Sequence, residues 1–490
     1  MDNLKVTQRL NIKDIVIGKK KLEIPFEFFL NNNDPPLQCS KLLRFIPGKR
    51  AVFSGFWGKK NIAAKFFFKP FRYKKHVNKE IKGNYLLKHA SIPTSKILYS
   101  KFCNELKSHI LIFEFIESST TFEKIFESDK NLKSDNLQIK YKKYLISLMG
   151  LIAKIHQKGL IHNDLHPDNF LLKKETIYAL DGASIRQVSA TRPLKREASL
   201  RNLSVILSQI NFVDSSLLYD LATAYAEERK YNRADQTARE LKILIQKSHE
   251  SRTAKYLKKI HRRSTQIVCK KSFSSFLLCQ RKYYTSAMES FLQNPDMAFH
   301  NPGTSLLKAG NTATVARYKI DGKQLVVKRY NMKNRFHALR LSFKTTRADI
   351  SWRSANLLIK NRINTPEPVA VKKIRFGPLR NRSFFIYEYI KGKNARQFFL
   401  DAKAEEAKIL AESIINLFYR LKSLKISHGD MKATNIIIHD DQPFFIDLDS
   451  MKWHKRELRF SHAWKKDIKR FMKNWNNRPE VAGLFKRLQQ

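Results

Sequence analysis

The sequence predicts an α+β protein in which a two-lobed domain, a small β-rich lobe followed by a helical lobe, is built twice in tandem. Three observations predict it. The pattern His-x-Asp-x-x-x-x-Asn occurs twice, as HNDLHPDN at 162–169 and HGDMKATN at 428–435. Each copy is followed by an aspartate at the same remove: the two aspartates are 17 residues apart in both (164 to 181, 430 to 447), and the asparagine precedes the second by 12 (169 to 181, 435 to 447). The elements around each copy come in the same order, which is the signature of an internal duplication.

In the first half, apolar residues at 52–56 and 62–66 read as two strands, the second carrying Lys65. A helical stretch with Glu80 follows, then a strand at 111–115 holding Glu114. Tyr141, Leu145, Leu148, Ile152 and Ile155 recur at helical spacing, so a long amphipathic helix leads into the first loop. After the loop, short apolar runs at 170–172 and 177–180 read as a hairpin that ends at Asp181. The second half repeats the plan. Residues 314–320 lead through the turn Asp321-Gly322 to a strand with Lys328, and a later strand at 385–389 holds Glu388. Leu410, Ile414, Leu417, Leu421 and Leu424 form the helical stripe, and the runs 436–438 and 444–448 form the hairpin carrying Asp447. The expected organisation is a first domain at 1–250, a basic linker at 251–285 and a second domain at 286–490. The linker holds ten Lys or Arg and no Asp or Glu. It reads either as a solvated basic segment or as an anion-binding surface.

At 490 residues, 42% hydrophobic and 28% charged, the chain suits a globular protein of more than one domain. Its formal charge of +51 fits a polyanionic partner, although a Lys-, Asn- and Ile-rich composition also contributes. No nucleic-acid-binding motif is recognisable, so nucleic acid is not an expected partner. The first 20 residues lack the apolar core of a secretory signal, and no run approaches the roughly 18–20 apolar residues of a spanning helix. Cys39, Cys103, Cys269 and Cys279 form no close pair and read as free thiols of a reducing cytoplasm.

The duplicated constellation suits phosphoryl transfer, which needs a cation on the phosphates, oxygen ligands for Mg²⁺ and a carboxylate to orient the attacking hydroxyl. Asp164 and Asp430 are the expected catalytic bases. Asn169, Asp181, Asn435 and Asp447 are the expected metal ligands. Lys65, braced by Glu80, and Lys328 are expected on the phosphates. His162 and His428 read as braces of the loops, while His166 and Lys432 are placed to face the transferred phosphate. The nucleotide-cradling turns are expected at Gly310, within 308–314, and at 47–50 in the first half. Glu114 and Glu388 fall where the lobes join, and their backbone is expected to meet adenine. The second copy departs from the pattern in one respect. Between Lys328 and Glu388 the only acids are Asp349 and Glu367, and neither is an obvious partner for Lys328.

At these residues the chain resembles the lipopolysaccharide kinase family, which phosphorylates Kdo or heptose in the lipopolysaccharide inner core. The resemblance covers about 286–490. It is carried by Gly310 and its neighbours, Val327-Lys328-Arg329, Ser351-Trp352-Arg353, Thr365-Pro-Glu-Pro, HGDMKATN, Asp447-Leu448-Asp449 and the tail around Trp475. The first half matches more loosely, since its HNDLHPDN is shared with many small-molecule kinases. The resemblance implies a bilobal protein-kinase-like fold, ATP with Mg²⁺, a sugar hydroxyl of a core glycolipid as acceptor, and peripheral work at an anionic membrane surface on the cytoplasmic side. Two other readings stand beside it. One is a protein kinase, although neither half shows an Ala-Pro-Glu-like segment. The other is one catalytic domain joined to a non-catalytic scaffold domain.

Overall fold

The structure, a computed structural model, describes residues 24–30, 34–46, 48–68, 72–104, 106–128, 135–210, 215–300, 304–331, 345–377 and 379–489. The N-terminal segment 1–20 and Pro47, both used above, lie outside the described residues. The chain divides into two compact units, Met1–Ser251 and Arg252–Gln490.

The first unit opens with a six-stranded antiparallel sheet. Across it run Phe26–Phe28, Leu37–Ile46, Arg50–Trp57, Lys60–Phe68, Ser108–Glu114 and Ile97–Cys103. Successive side chains of a strand point to opposite faces. Ile62, Ala64 and Phe66 therefore join one core with Leu37, Cys39 and Phe53, while Ala63 and Phe67 turn to the face covered by helix Tyr73–His89. Lys65 shares that second face. The helical lobe is built on Asp135–Gln157, whose Tyr141, Leu145, Leu148, Ile152 and Ile155 are all buried, as their spacing predicts. Each such side chain contributes about 1.5–3 kcal/mol when fully removed from water. The hairpin Phe170–Lys173 with Thr176–Ala179 follows the first loop, as the two apolar runs predict.

The second unit has a seven-stranded antiparallel sheet. The order is Ile267–Lys271, Ser275–Gln280, Pro368–Phe376, Leu379–Glu388, Lys323–Tyr330, Ala313–Ile320 and Ser305–Lys308. Leu325 and Val327 face one core, and Tyr330 joins the other with helix Arg347–Lys360. Lys328 is on that helix-covered face. The helical lobe centres on Ala404–Ser423, with Leu410, Ile414, Leu417 and Leu421 buried and Leu424 partly buried at the helix end. The hairpin Ile436–His439 with Gln442–Phe445 again follows the loop.

The segment expected as a linker at 251–285 is not a linker. Helix Ala234–Lys259 runs through its start, and its later part is a hairpin whose second strand pairs with Pro368–Phe376, from Ser275 opposite Ile374 to Cys279 opposite Ala370. The physical reason is alternation. Ile267, Phe276 and Leu278 enter one core while Val268, Leu277 and Cys279 enter the other, so a stretch that is basic by count carries enough apolar residues to be buried on both faces. No helix among the described residues is long and apolar enough to cross a membrane. The four cysteines are free, with Cys39 and Cys279 buried.

Candidate functional site

In the first unit, strand Lys60–Phe68 aims Lys65 at helix Tyr73–His89, and its Nζ lies 2.5 Å from Oε1 of Glu80. Glu80 is only 1% exposed. An isolated carboxylate there would be costly, so the pair stands or falls together. The helix is brought in by a backbone contact. A β-carbon on Gly83 would collide with the carbonyl oxygen of Gly182, and one on Gly182 would meet the Glu80 carbonyl oxygen at 2.5 Å. Gly182 follows Asp181, so this contact sets the helix against the aspartate at the end of the hairpin. Asp181 itself adopts a left-handed backbone (φ 59°) and accepts from the Ser184 hydroxyl at 2.7 Å. Burial pushes its pKa up, but the Lys65 charge, the Ser184 hydroxyl, Arg50 and His162 outweigh that and hold it below the ordinary carboxylate range.

The first loop is tied to the hairpin on both sides. The Asn169 amide donates to the Asp164 carbonyl at 2.8 Å, and Leu180 N–H donates to the Asn169 carbonyl at 2.8 Å. His162 Nε2, 3.1 Å from the Leu180 carbonyl, must carry its proton there, so this histidine braces the loop as expected. Asp164 is exposed. Beneath the loop, Asn202 of helix Arg196–Leu207 donates to the His162 carbonyl at 3.0 Å. Its oxygen is 3.0 Å from His156, whose other ring nitrogen is 2.6 Å from the Tyr225 hydroxyl. Burial lowers the His156 pKa to about 4, so this relay is neutral at pH 7.

The second unit repeats the loop and changes its supports. The Asn435 amide donates to the Asp430 carbonyl at 2.8 Å, Ile446 N–H donates to the Asn435 carbonyl at 2.9 Å, and His428 Nε2 is 3.0 Å from the Ile446 carbonyl. Here the underlying group is Asp467 of helix Glu457–Met472, which is buried and accepts from the N–H groups of His428 (2.6 Å) and Gly429 (3.0 Å). Burial raises its pKa against those bonds. The Asp430 carboxylate is held by Arg470 at 2.7 Å and Lys432 at 3.1 Å.

Lys328 finds its partners beyond Glu388, in the loop after the hairpin. Its Nζ lies 2.5 Å from Asp447 and 2.9 Å from Asp449, and Arg347 reaches the same Asp449 oxygen at 2.8 Å. Asp349 instead pairs with Lys373 at 2.8 Å, and Glu367 with Lys282 at 3.1 Å. The Asp-Leu-Asp run at 447–449 was the available signal: the 3₁₀ turn Leu448–Ser450 returns the second carboxylate toward the strand. Burial raises the Asp447 pKa, but Lys328 more than offsets it, and the carboxyl stays below its usual range.

The N–H groups of the two residues expected beside adenine are engaged within the fold. Glu114 N–H donates to the Lys96 carbonyl at 2.9 Å, and Glu388 N–H to the Glu367 carbonyl at 3.0 Å. Neither supplies a free donor for adenine, because each is still held at a strand end. In addition, Ser95 donates to the Glu114 carbonyl, and Tyr283 donates to the Glu388 carboxylate at 2.7 Å. Gly310 does lie in the turn between Ser305–Lys308 and Ala313–Ile320, where the Asn331 amide donates to its carbonyl at 3.1 Å. In the first unit, Gly48 makes the corresponding turn with φ 68°.

The donor set suits Mg²⁺. Each loop asparagine spends its N–H₂ on a carbonyl, which can only accept, so its amide oxygen is the atom left to coordinate beside Asp181 or Asp447. Among the described residues no cluster of three or more His, Cys, Asp or Glu forms a site for a metal by protein ligands alone. An ion held by one carboxylate, one amide oxygen and phosphate oxygens is the kind Mg²⁺ takes.

Residues 304–483 match the model of the lipopolysaccharide kinase (Kdo/WaaP) family. No curated protein matches the chain. Solved structures similar to it include WaaP in complex with acyl carrier protein, at 12% identity and TM-score 0.34, covering 43% of this chain and 88% of that one. The BubR1 kinase domain is 17% identical at TM-score 0.32, covering 46% and 90%. WbdD is 16% identical at TM-score 0.32, covering 44% and 52%. The family match lies wholly within the second unit.

Proposed function

We propose that the chain is an ATP-dependent phosphotransferase that phosphorylates a sugar, heptose or Kdo, of the lipopolysaccharide inner core, at an anionic membrane surface. The observation that carries this reading is that the part of the chain matching the lipopolysaccharide kinase family also pairs Lys328 with Asp447 and Asn435 with Asp430, and ties the two pairs at the hairpin, where Ile446 N–H, next to Asp447, donates to the Asn435 carbonyl.

Asp430 accepts the proton of the sugar hydroxyl as its oxygen bonds the γ-phosphorus and the bond to the ADP oxygen breaks. Lys432 and Arg470, both on the Asp430 carboxylate, orient it and add positive charge near the incoming phosphate. Lys328 leaves Asp447 for the phosphates when nucleotide arrives. Asn435 and Asp447 would hold Mg²⁺, which would supply neutralisation of the phosphate charge. The first unit carries the same roles on Lys65, Asp164, Asn169 and Asp181, with Glu80 holding the lysine.

Asp430→Ala and Asp164→Ala, made separately and together, test this with ATP and purified core glycolipid. Each single variant should lose its own unit's transfer by about 10²–10⁴-fold. A double variant that still phosphorylates the glycolipid sinks the reading. Mass spectrometry of the product identifies the sugar. A second reading, one catalytic unit and one scaffold, is favoured by the family match stopping short of the first unit. A nucleotide stoichiometry of one per chain would select it.

A further inference from the structure

The extra hairpin of the second unit ends in a feature the proposed chemistry does not use. Phe273, in the turn between Ile267–Lys271 and Ser275–Gln280, is 64% exposed. Phe376, where Pro368–Phe376 turns into Leu379–Glu388, is 69% exposed. The two rings touch edge to face with centroids 5.0 Å apart, and the Phe273 ring covers Gly377 so closely that a β-carbon there would lie 3.1 Å from it. The two turns are locked together: Gly377 N–H donates to the Phe273 carbonyl at 3.2 Å, and Arg375 donates to the Ser272 carbonyl at 2.6 Å. Two large exposed aromatics are thus held side by side on bonded turns, where leaving them in water is unfavourable.

The flanks are cationic. Lys270, Lys271, Lys372, Lys373, Arg375 and Arg382 lie on the strands behind the tip, and no Asp or Glu occurs at 263–285 or 369–387. Glu289, Asp349 and Asp296 neutralise Lys270, Lys373 and Arg382. Among the described residues no carboxylate pairs with Lys271 or Lys372. An exposed aromatic pair flanked by cations, Lys271 and Lys372 among them without a carboxylate, matches a lipid bilayer with anionic headgroups, where aromatics insert at the headgroup level and Lys and Arg stay in the charged layer.

We infer that the Phe273–Phe376 tip docks the second unit onto an anionic lipid surface. This deepens the proposed function and rests on it only for the lipid-borne acceptor. The register row Ala313–Tyr330–Ser383–Lys373–Phe276 puts the tip and the Gly310 turn at the same end of the sheet, about 20 Å apart across it. Docking there holds the nucleotide turn near the membrane that carries the acceptor.

The full chain is to be sedimented with phosphatidylcholine vesicles, with and without phosphatidylglycerol, without ATP or glycolipid. Failure here and failure of phosphotransfer are therefore read separately. The chain should bind the anionic vesicles and not the neutral ones. Phe273→Ser with Phe376→Ser, which leaves net charge unchanged, should weaken that binding about tenfold or more. In a second measurement, Phe376→Trp should show quenching by brominated lipid beyond that of the parent chain, which tests insertion without removing the aromatic. Unchanged binding of the double variant, absence of extra quenching, or indifference to anionic vesicles each overturns the inference. Loss of RNA binding in the double variant with vesicle binding intact also overturns it and names nucleic acid as the occupant.

Discussion

Lys65 and Lys328 occupy equivalent strand positions and are anchored by different elements. Lys65 depends on a helix carboxylate, Glu80, whereas Lys328 depends on Asp447 and Asp449 of the loop beyond the hairpin. Asp449→Asn should therefore weaken nucleotide binding by the second unit about tenfold or more, since Asp449 alone anchors the lysine once it has left Asp447 for the phosphates, and a charge-assisted bond to a buried ammonium is worth about 1.5–3 kcal/mol. Asp349→Asn, in the helix, should leave it unchanged. Labelling of Lys328 by a lysine-reactive ATP analogue, read peptide by peptide with Lys65 as reference, decides between them. Equal effects of the two substitutions would show that the helix acid matters after all. The loop aspartates, asparagines and strand lysines were legible in the sequence because their chemistry requires fixed residue types at fixed spacing. Asp449 was not recognised as the lysine's partner because a partner defined by folding back across 121 positions leaves no local spacing to read. The same holds for Asn202 under the first loop and Asp467 under the second.

At the scale of elements, the strands, the long helices and both hairpins followed from periodicity. The contact between helix Tyr73–His89 and the Asp181-Gly182 turn did not, because glycine leaves no apolar pattern. That contact makes a sharp prediction. Gly83→Ala has no room against the Gly182 carbonyl and must displace the helix. The Lys65–Glu80 pair should then separate, with a loss of about 1–3 kcal/mol in stability. Nucleotide binding by the first unit should fall with the second unit's untouched. Thermal unfolding with unit-resolved lysine labelling checks both halves, and an unaltered Lys65 signal would mean that the helix has slack. The basic hairpin was missed for the opposite reason: its lysines and arginines dominated the composition while its alternation, only five or six residues per strand, was short.

At the scale of the whole molecule, the two units rest on different buried chemistry and should respond differently to acid. His156 has a folded pKa of about 4 against an ordinary value of 6.5. The unfolded chain therefore takes up the proton first. The first unit keeps its full stability above pH 6.5 and loses about 3 kcal/mol as the pH falls to about 4. Asp181 and Asp447, both held below their ordinary range, add losses only at still lower pH. Unfolding followed by hydrogen exchange in each unit should show the first weakening between pH 6.5 and 4, with a flatter profile in His156→Gln. A parallel profile in both proteins would rule out His156 as the source. Finally, the sheet of the second unit fixes where the chain can be cut. A fragment begun at residue 286 or 304 would strip Ser275–Gln280 from Pro368–Phe376, leaving a bare strand edge and uncovering Val371 and Ala370. Such a piece invites aggregation however complete its catalytic loop, and dissection of the gene has to begin ahead of Ile267.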